Sequence, residues 1–215
     1  MIKIKNFTKK YGDKTVYSDF NLEIETGKIT VILGESGSGK TTLLRAIASL
    51  TDYQGEIIGV DEKKSMVFQT DRLIPNLTVS ENLSLINPGK DAESALGSVG
   101  LSDCGNLYPK SLSGGMARRV SLARALNFDA PLLLMDEPFI NLDIAHKFFI
   151  MDNIKKAQSE TARTIIVVTH DIKEAVYLAE RIVVISKGKI VLDEKKINKN
   201  TENILYGVLM NSVKD

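Results

Sequence analysis

Residues 29–44 read ITVILGESGSGKTTLL. The run 29–33 is apolar and β-branched, which predicts a buried strand. From about residue 40 to 50 the apolar positions fall at Leu43, Leu44, Ile47 and Leu50, the spacing of a helix buried along one side. Between them lies GESGSGK, which with Thr41 and Thr42 fits G-x-x-x-x-G-K-[ST] in the strand–loop–helix setting that gives this pattern its meaning. Gly34, Gly37 and Gly39, interleaved with Glu35, Ser36 and Ser38, let successive backbone N–H groups curl toward phosphate oxygens. Lys40 adds a flexible positive charge for the β and γ phosphates, and Thr41 offers a hydroxyl to Mg²⁺. The stretch predicts a nucleoside triphosphate site.

The rest of the chain supplies the frame. Ile2 and Ile4 alternate with Lys3 and Lys5, and Phe20, Leu22 and Ile24 alternate again, predicting an antiparallel N-terminal sheet. A short strand pair is expected at 55–58 and 65–68. Residues from about 70 to 127 read as helical and loop-rich, punctuated by Pro75, Pro88 and Pro109. Strands resume at 132–135, 164–168 and 181–186, with helices near 143–159 and 172–179 between them. A last strand over 189–192 and a short amphipathic helix over about 201–211 follow. Such alternation predicts an α/β fold with a mostly parallel sheet covered on both faces, the helical stretch being an insertion between core strands. A single domain over residues 1–215 is expected.

Composition narrows the function classes. Apolar residues at 43% and charged residues at 26% are globular values and exclude disorder. With 28 basic against 27 acidic side chains, no bulk charge favours nucleic acid or an anionic membrane surface. The one cysteine, Cys104, excludes an internal disulfide and reads as a thiol in a reducing compartment. The N-terminal MIKIKNFTKKYG lacks the apolar stretch of a secretory signal. The longest apolar runs, LLLM at 132–135 and IIVV at 165–168, fall far short of the roughly 20 residues of a membrane span. Any membrane role is expected to come through a partner, and no C-terminal regulatory domain is expected after the last strand.

Three further stretches carry chemistry. LLLMDEPF at 132–139 is an apolar strand ending in two carboxylates: Asp136 suits a second magnesium anchor, and Glu137 suits a base that orients and deprotonates water. Gln69 and His170 each follow an apolar strand. Either Gln69 is a polar strand end and His170 a hydrogen-bonded structural group, or both converge with the P-loop and Asp136 on one γ-phosphate at the carboxyl edge of the sheet. LSGGMARR at 112–119 places small residues before a basic helix, a second anion seat in a chain that already has one.

The ordered set GESGSGKTT, Gln69, LSGGM, LLLMDEP, NLD and VTHD resembles the ATP-binding-cassette (ABC) ATPases. The resemblance implies a P-loop NTPase core of RecA-like type, ATP and Mg²⁺ as ligands, and hydrolysis to ADP and phosphate. It implies that Tyr11 stacks on adenine, that Gln69 links Mg²⁺ and water to a membrane partner, and that Thr41 and Asp136 also serve the metal. Glu137 would be the general base, His170 the γ-phosphate switch and Asp143 the communicating aspartate. Ser113, Gly114 and Gly115 would cover the ATP of a second copy, so that two chains close head to tail over two nucleotides. The two anion seats would then be halves of different sites.

LSGGM, RLIPNLTVSENL and DEPF together resemble the nitrate/sulfonate/taurine-type importers. That implies a homodimer on the cytoplasmic face of a cell membrane, beneath permease subunits, fed indirectly by a substrate-binding protein and with no role for nucleic acid. Rival readings are the ATPase of an exporter or lipid extractor, and a soluble ABC ATPase acting on nucleic acid or ribosomes. The last usually carries tandem cassettes or a coiled coil, against one P-loop and one LSGG here. Met116 stands where the family more often has glutamine, Asn141 replaces a small residue, and the segment between Gly55 and Gln69 is short. Leu73, Ile74, Leu77, Val79 and Leu83 form either a docking face for the permease or packing of the helical stretch.

Overall fold

The structure is a computed structural model and describes residues 1–212. Two sheets form its frame. Strands β1 (Ile2–Tyr11), β2 (Lys14–Ile24) and β4 (Gln54–Ile58) make an antiparallel sheet in the order β2-β1-β4. The second sheet holds β3 (Ile29–Leu33), β5 (Lys64–Val67), β6 (Leu132–Asp136), β7 (Thr164–Thr169), β8 (Arg181–Ser186) and β9 (Lys189–Glu194). Its order is β5-β6-β7-β3-β8-β9, parallel except for β9. β9 returns antiparallel through a two-residue turn, Lys187 and Gly188, both left-handed, which matches the twist of a tight hairpin.

The expected strand pair at 55–58 and 65–68 is not a pair. β4 joins the N-terminal sheet through β1, whereas β5 enters the parallel sheet beside β6. Their side chains explain the parting: β4 is largely exposed, as suits an edge strand, while β5 alternates buried and half-buried positions against the helices. Helix α1 (Lys40–Ile47) is also shorter than expected. Ser49 turns left-handed, its N–H donates to the Ala46 carbonyl, and the Leu50 N–H donates to the Arg45 carbonyl. This Schellman closure leaves Leu50 55% exposed rather than on the buried side.

Alternation along the parallel strands feeds two apolar layers. Val31, Leu33, Leu133, Met135 and Val167 face the helices α4 (Gly114–Asn127), α5 (Ile144–Thr161) and α6 (Ile172–Leu178). Ile32, Leu132, Leu134 and Val168 face α1 and the N-terminal sheet with Ile4, Phe7 and Tyr17. Each fully buried aliphatic contributes roughly 1.5–3 kcal/mol. Between β5 and β6 lie α2 (Val79–Ser84), α3 (Ala92–Gly97), a 3-10 turn at Pro109–Ser111 and α4. A final helix, α7 (Thr201–Ser212), seats Leu205 in the helical layer. Among the described residues, no helix is long and apolar enough to cross a membrane.

Candidate nucleotide site

The loop at 34–40 is shaped by what surrounds it. Gly39 caps α1 with φ 104°, and a Cβ there would lie 2.7 Å from the buried Tyr17 ring, so only glycine fits. No side chain caps the first N–H groups of α1, and they remain available to an anion with the helix dipole behind them. Lys40 is buried, and its Nζ donates to the carbonyls of Gly34 and Glu35 at 2.7 Å each. Burial lowers its pKa, opposed by the charges of Glu137, Asp136 and Glu35. A groove of about 700 Å³ runs over residues 36–42 and is bounded also by Tyr11, Lys14, Gln69, Glu137 and Lys187. Tyr11, bordering the groove, is 49% exposed, with the Lys9 ammonium 4.8 Å from its ring centroid.

Across the groove stand the ends of β5, β6 and β7. Asp136 closes β6, and its Oδ1 accepts a hydrogen bond from Thr41 Oγ1 at 2.8 Å. Burial raises the Asp136 pKa against the lowering effect of that hydroxyl. A hydroxyl and a carboxylate meeting at one point, with the Gln69 amide on the same groove, are oxygen donors suited to a hard cation that keeps phosphate and water ligands. Were Mg²⁺ bound here, Thr41, Gln69 and Asp136 are the side chains placed to hold it together with the substrate's phosphates.

Glu137 follows with a left-handed backbone, φ 49°, a conformation that costs a non-glycine residue roughly 1–2 kcal/mol. Its N–H donates to the Val168 carbonyl at 2.9 Å, and both carboxylate oxygens lie 3.0 Å from His170 Nδ1. Because β7 lies between β6 and β3, the residue after it sits between the P-loop and the two carboxylates. Gln69, Glu137 and His170 are thus gathered at one sheet edge.

The LSGG segment lies elsewhere. Ser113 caps α4, its Oγ accepting from the Met116 N–H at 3.2 Å, and Met116 packs on the helical layer. A Cβ built on Gly114 meets nothing within 4 Å, while one on Gly115 would come within 3.1 Å of the Asn141 carbonyl. Asn141 is left-handed at φ 62°, which asparagine tolerates well, giving a backbone reason for the residue found there. Asp143 caps α5, accepting from the His146 N–H at 3.0 Å and lying 2.5 Å from His146 Nδ1, bonds that lower its pKa. Among the described residues, Ser113, Gly114, Gly115 and Asp143 do not line the P-loop groove.

Three polar groups had no sequence signal. Arg118 in α4 is only 2% exposed and donates to carbonyls at the ends of β5 and β6. Glu174, also buried, accepts from Thr169 Oγ1 at 2.5 Å and from Lys147 Nζ at 2.6 Å, tying α5 to the residue before His170. Asn82 is fully buried, and its amide receives the Ile74 N–H and donates to the carbonyls of Ile74, Leu77 and Thr78. Val79 and Leu83 are core, Leu73 packs beneath, and Ile74 is held outward on a braced loop.

The ABC transporter profile matches residues 17–140. The chain is 42% identical over 200 residues to the aliphatic sulfonates import ATP-binding protein SsuB 1 of Paracoccus denitrificans (strain Pd 1222), covering 90% of this chain and 83% of that protein. It is 39% identical over 197 residues to SsuB 3 of Rhodococcus jostii (strain RHA1), covering 89% and 74%. A solved structure of the ATP-binding cassette MJ0796, dimeric and bound to ADP and Pi in a post-hydrolysis state, superposes with a TM-score of 0.82 at 34% identity, covering 92% of this chain and 99% of the other.

Proposed function

We propose, on the premise that this chain belongs to the ABC transporter family, that it is the ATP-hydrolysing subunit of a membrane importer. The observation that carries the reading is that Lys40, Thr41 and Glu137 line one groove, with Asp136 bonded to Thr41 and His170 beside Glu137. Residues 1–215 act as one ATPase domain. ATP lies along the groove with adenine on Tyr11 and its phosphates on the N–H groups of residues 34–42, the charge of Lys40 facing the β and γ phosphates. Bound Mg²⁺ supplies charge neutralisation of the phosphates, held by Thr41, Gln69 and Asp136. Glu137 takes the proton of a water that attacks the γ-phosphorus, and the bond to the ADP oxygen breaks. His170 steadies both the base and the terminal phosphate.

The separate placement of Ser113, Gly114 and Gly115 supports a head-to-tail homodimer in which each chain's LSGG covers its partner's ATP, with Asp143 at the contact. The dimer sits on the cytoplasmic face of the membrane beneath permease subunits, which a substrate-binding protein supplies. Ile74, Leu107 and Tyr108 are exposed around the start of α2, where the Val79 N–H donates to the Leu107 carbonyl, and they form the permease-facing patch. The relatives' names specify aliphatic sulfonate import; the solute here is set by the permease and binding protein.

Glu137→Gln tests the reading. Nucleotide binding should persist while hydrolysis slows by at least ~10²-fold. MgATP should then hold the dimer through size-exclusion chromatography, because a ligand bound only by the closed state stabilises it. Monomer alone, with wild-type turnover, would refute the assignment.

A further inference from the structure

The geometry points to Arg118 as the positioning residue of the hydrolytic carboxylate, an inference that rests on Glu137 being the base. Arg118 stands one turn into α4, the helix that Ser113 and Gly114 open. Its five N–H groups are all spent. Nε donates to the Pro138 carbonyl at 2.8 Å, and Nη2 to those of Asp136 at 3.0 Å and Glu137 at 2.6 Å. Nη1 donates to the Phe68 carbonyl at 2.5 Å and to Asp71 Oδ1 at 3.2 Å. Three consecutive carbonyls, 136 to 138, are thereby gathered on one planar guanidinium. The central one belongs to the residue with the unfavourable left-handed φ.

Such a peptide persists only where its surroundings over-determine it. On one side the Glu137 N–H is bound to Val168, and on the other its carbonyl is bound to Arg118. Without the second anchor the peptide can rotate toward an ordinary conformation and carry the carboxylate away from His170. A buried cation with one half-buried carboxylate for a partner is an expensive choice for a helix interior, where leucine would serve packing as well. Its fork of fixed donors is what a lysine cannot reproduce.

The same side chain holds the peptide before Gln69, and Arg124, further along α4, donates to the carbonyls of Asp71 and Arg72 at 3.2 and 3.0 Å. The helix that bears LSGG therefore grips the Gln69 and Glu137 segments together. Displacement of α4 relative to the parallel sheet moves the base and the Gln69 segment in concert.

The test is a four-cornered cycle on the full-length homodimer: wild type, Arg118→Lys, Glu137→Gln and the double variant. Each is assayed for kcat and KM with MgATP well below its Tm, and for backbone amide exchange without nucleotide. Arg118→Lys should lower kcat by roughly 10²-fold, the scale of an ångström of misplacement, with KM within about twofold. The Glu137 amide should lose protection while those earlier in β6 keep theirs. In the Glu137→Gln background the second substitution should cost nothing further, because it acts through the group already removed. Wild-type kcat in Arg118→Lys, unchanged Glu137 exchange, or losses that multiply in the double variant would overturn the inference. Wild-type turnover by Glu137→Gln alone would remove the base assignment beneath it, a separate corner of the cycle. Should Arg118→Lys fail to fold, Arg118→Gln, which keeps an uncharged planar donor pair, replaces it in the same cycle.

Discussion

Gly114→Ala separates stability from activity. Gly114 is the first residue of α4, in an ordinary helical conformation, and an added Cβ meets no atom of its own chain within 4 Å. Within the monomer the substitution only removes backbone freedom from the unfolded chain, a gain of about 0.4–1 kcal/mol. For a chain of this size that raises Tm by about 1–4 °C. In the head-to-tail dimer proposed above, the same methyl group would stand between the LSGG backbone and the partner's γ-phosphate, and displacement of about 1 Å at the reacting centre lowers turnover by roughly 10²-fold. Gly115→Ala is the control, since its Cβ would press on the Asn141 carbonyl at 3.1 Å and should lower Tm as well. Differential scanning calorimetry and steady-state phosphate release would be measured on the same preparations. Wild-type hydrolysis by Gly114→Ala would refute the idea that this glycine faces a nucleotide. A fall in Tm of several degrees would refute the reading of its open surroundings.

Three further outcomes follow from geometry. Asp136→Asn removes the carboxylate that accepts from Thr41 Oγ1; Mg²⁺-dependent hydrolysis should fall by at least ~10²-fold while nucleotide analogue binding without metal persists by fluorescence titration. Ile74→Glu places a charge on the exposed, Asn82-braced loop; the isolated subunit should hydrolyse ATP normally but fail to co-purify with its permease. Asp193 receives Arg181 Nε and Nη2 at 2.8 Å each, and these bonds hold its carboxyl below the usual range. A depressed folded pKa stabilises above the unfolded value of about 3.9 and ceases to do so as pH falls through the folded one. Asp193→Asn should thus lower Tm by about 2–4 °C at pH 7, about 1 kcal/mol after allowance for its exposure, and the gap to wild type should close on acidification below about pH 4.

The P-loop, Asp136, Glu137 and the parallel sheet were legible because each is written in contiguous residues: an apolar run, then its polar end. The short-range pattern around 55–68 was misread because two neighbouring strands in sequence belong to different sheets, and alternation says nothing about partners. The end of α1 was hidden because Ser49, not glycine, takes the left-handed position. Arg118 was invisible for a different reason. An arginine between Ala117 and Arg119 at the start of a basic helix reads as a solvated charge, and only the fold brings carbonyls from residues 68 and 136–138 around it. Buried Glu174 and Asn82 were lost in the same way, since their partners are chosen by tertiary structure.

The strand order also bears on how the chain is made. The P-loop strand β3 ends at residue 33, yet both of its neighbours, β7 and β8, come from beyond residue 163. During synthesis at about 5–20 residues per second, β3 waits on the order of ten seconds for a hydrogen-bonded partner. Over that interval a strand of four aliphatic residues and Thr30, wholly buried in the finished fold, has two unpaired edges, the state most open to pairing with another nascent chain. The N-terminal hairpin of β1 and β2 can close at once, but the catalytic edge cannot exist until β7 slots between β3 and β6. Ribosomes translating this message therefore carry an incomplete ATPase until β7 has emerged, and release of chains cut short before it would yield a protein prone to aggregate rather than a weakened enzyme.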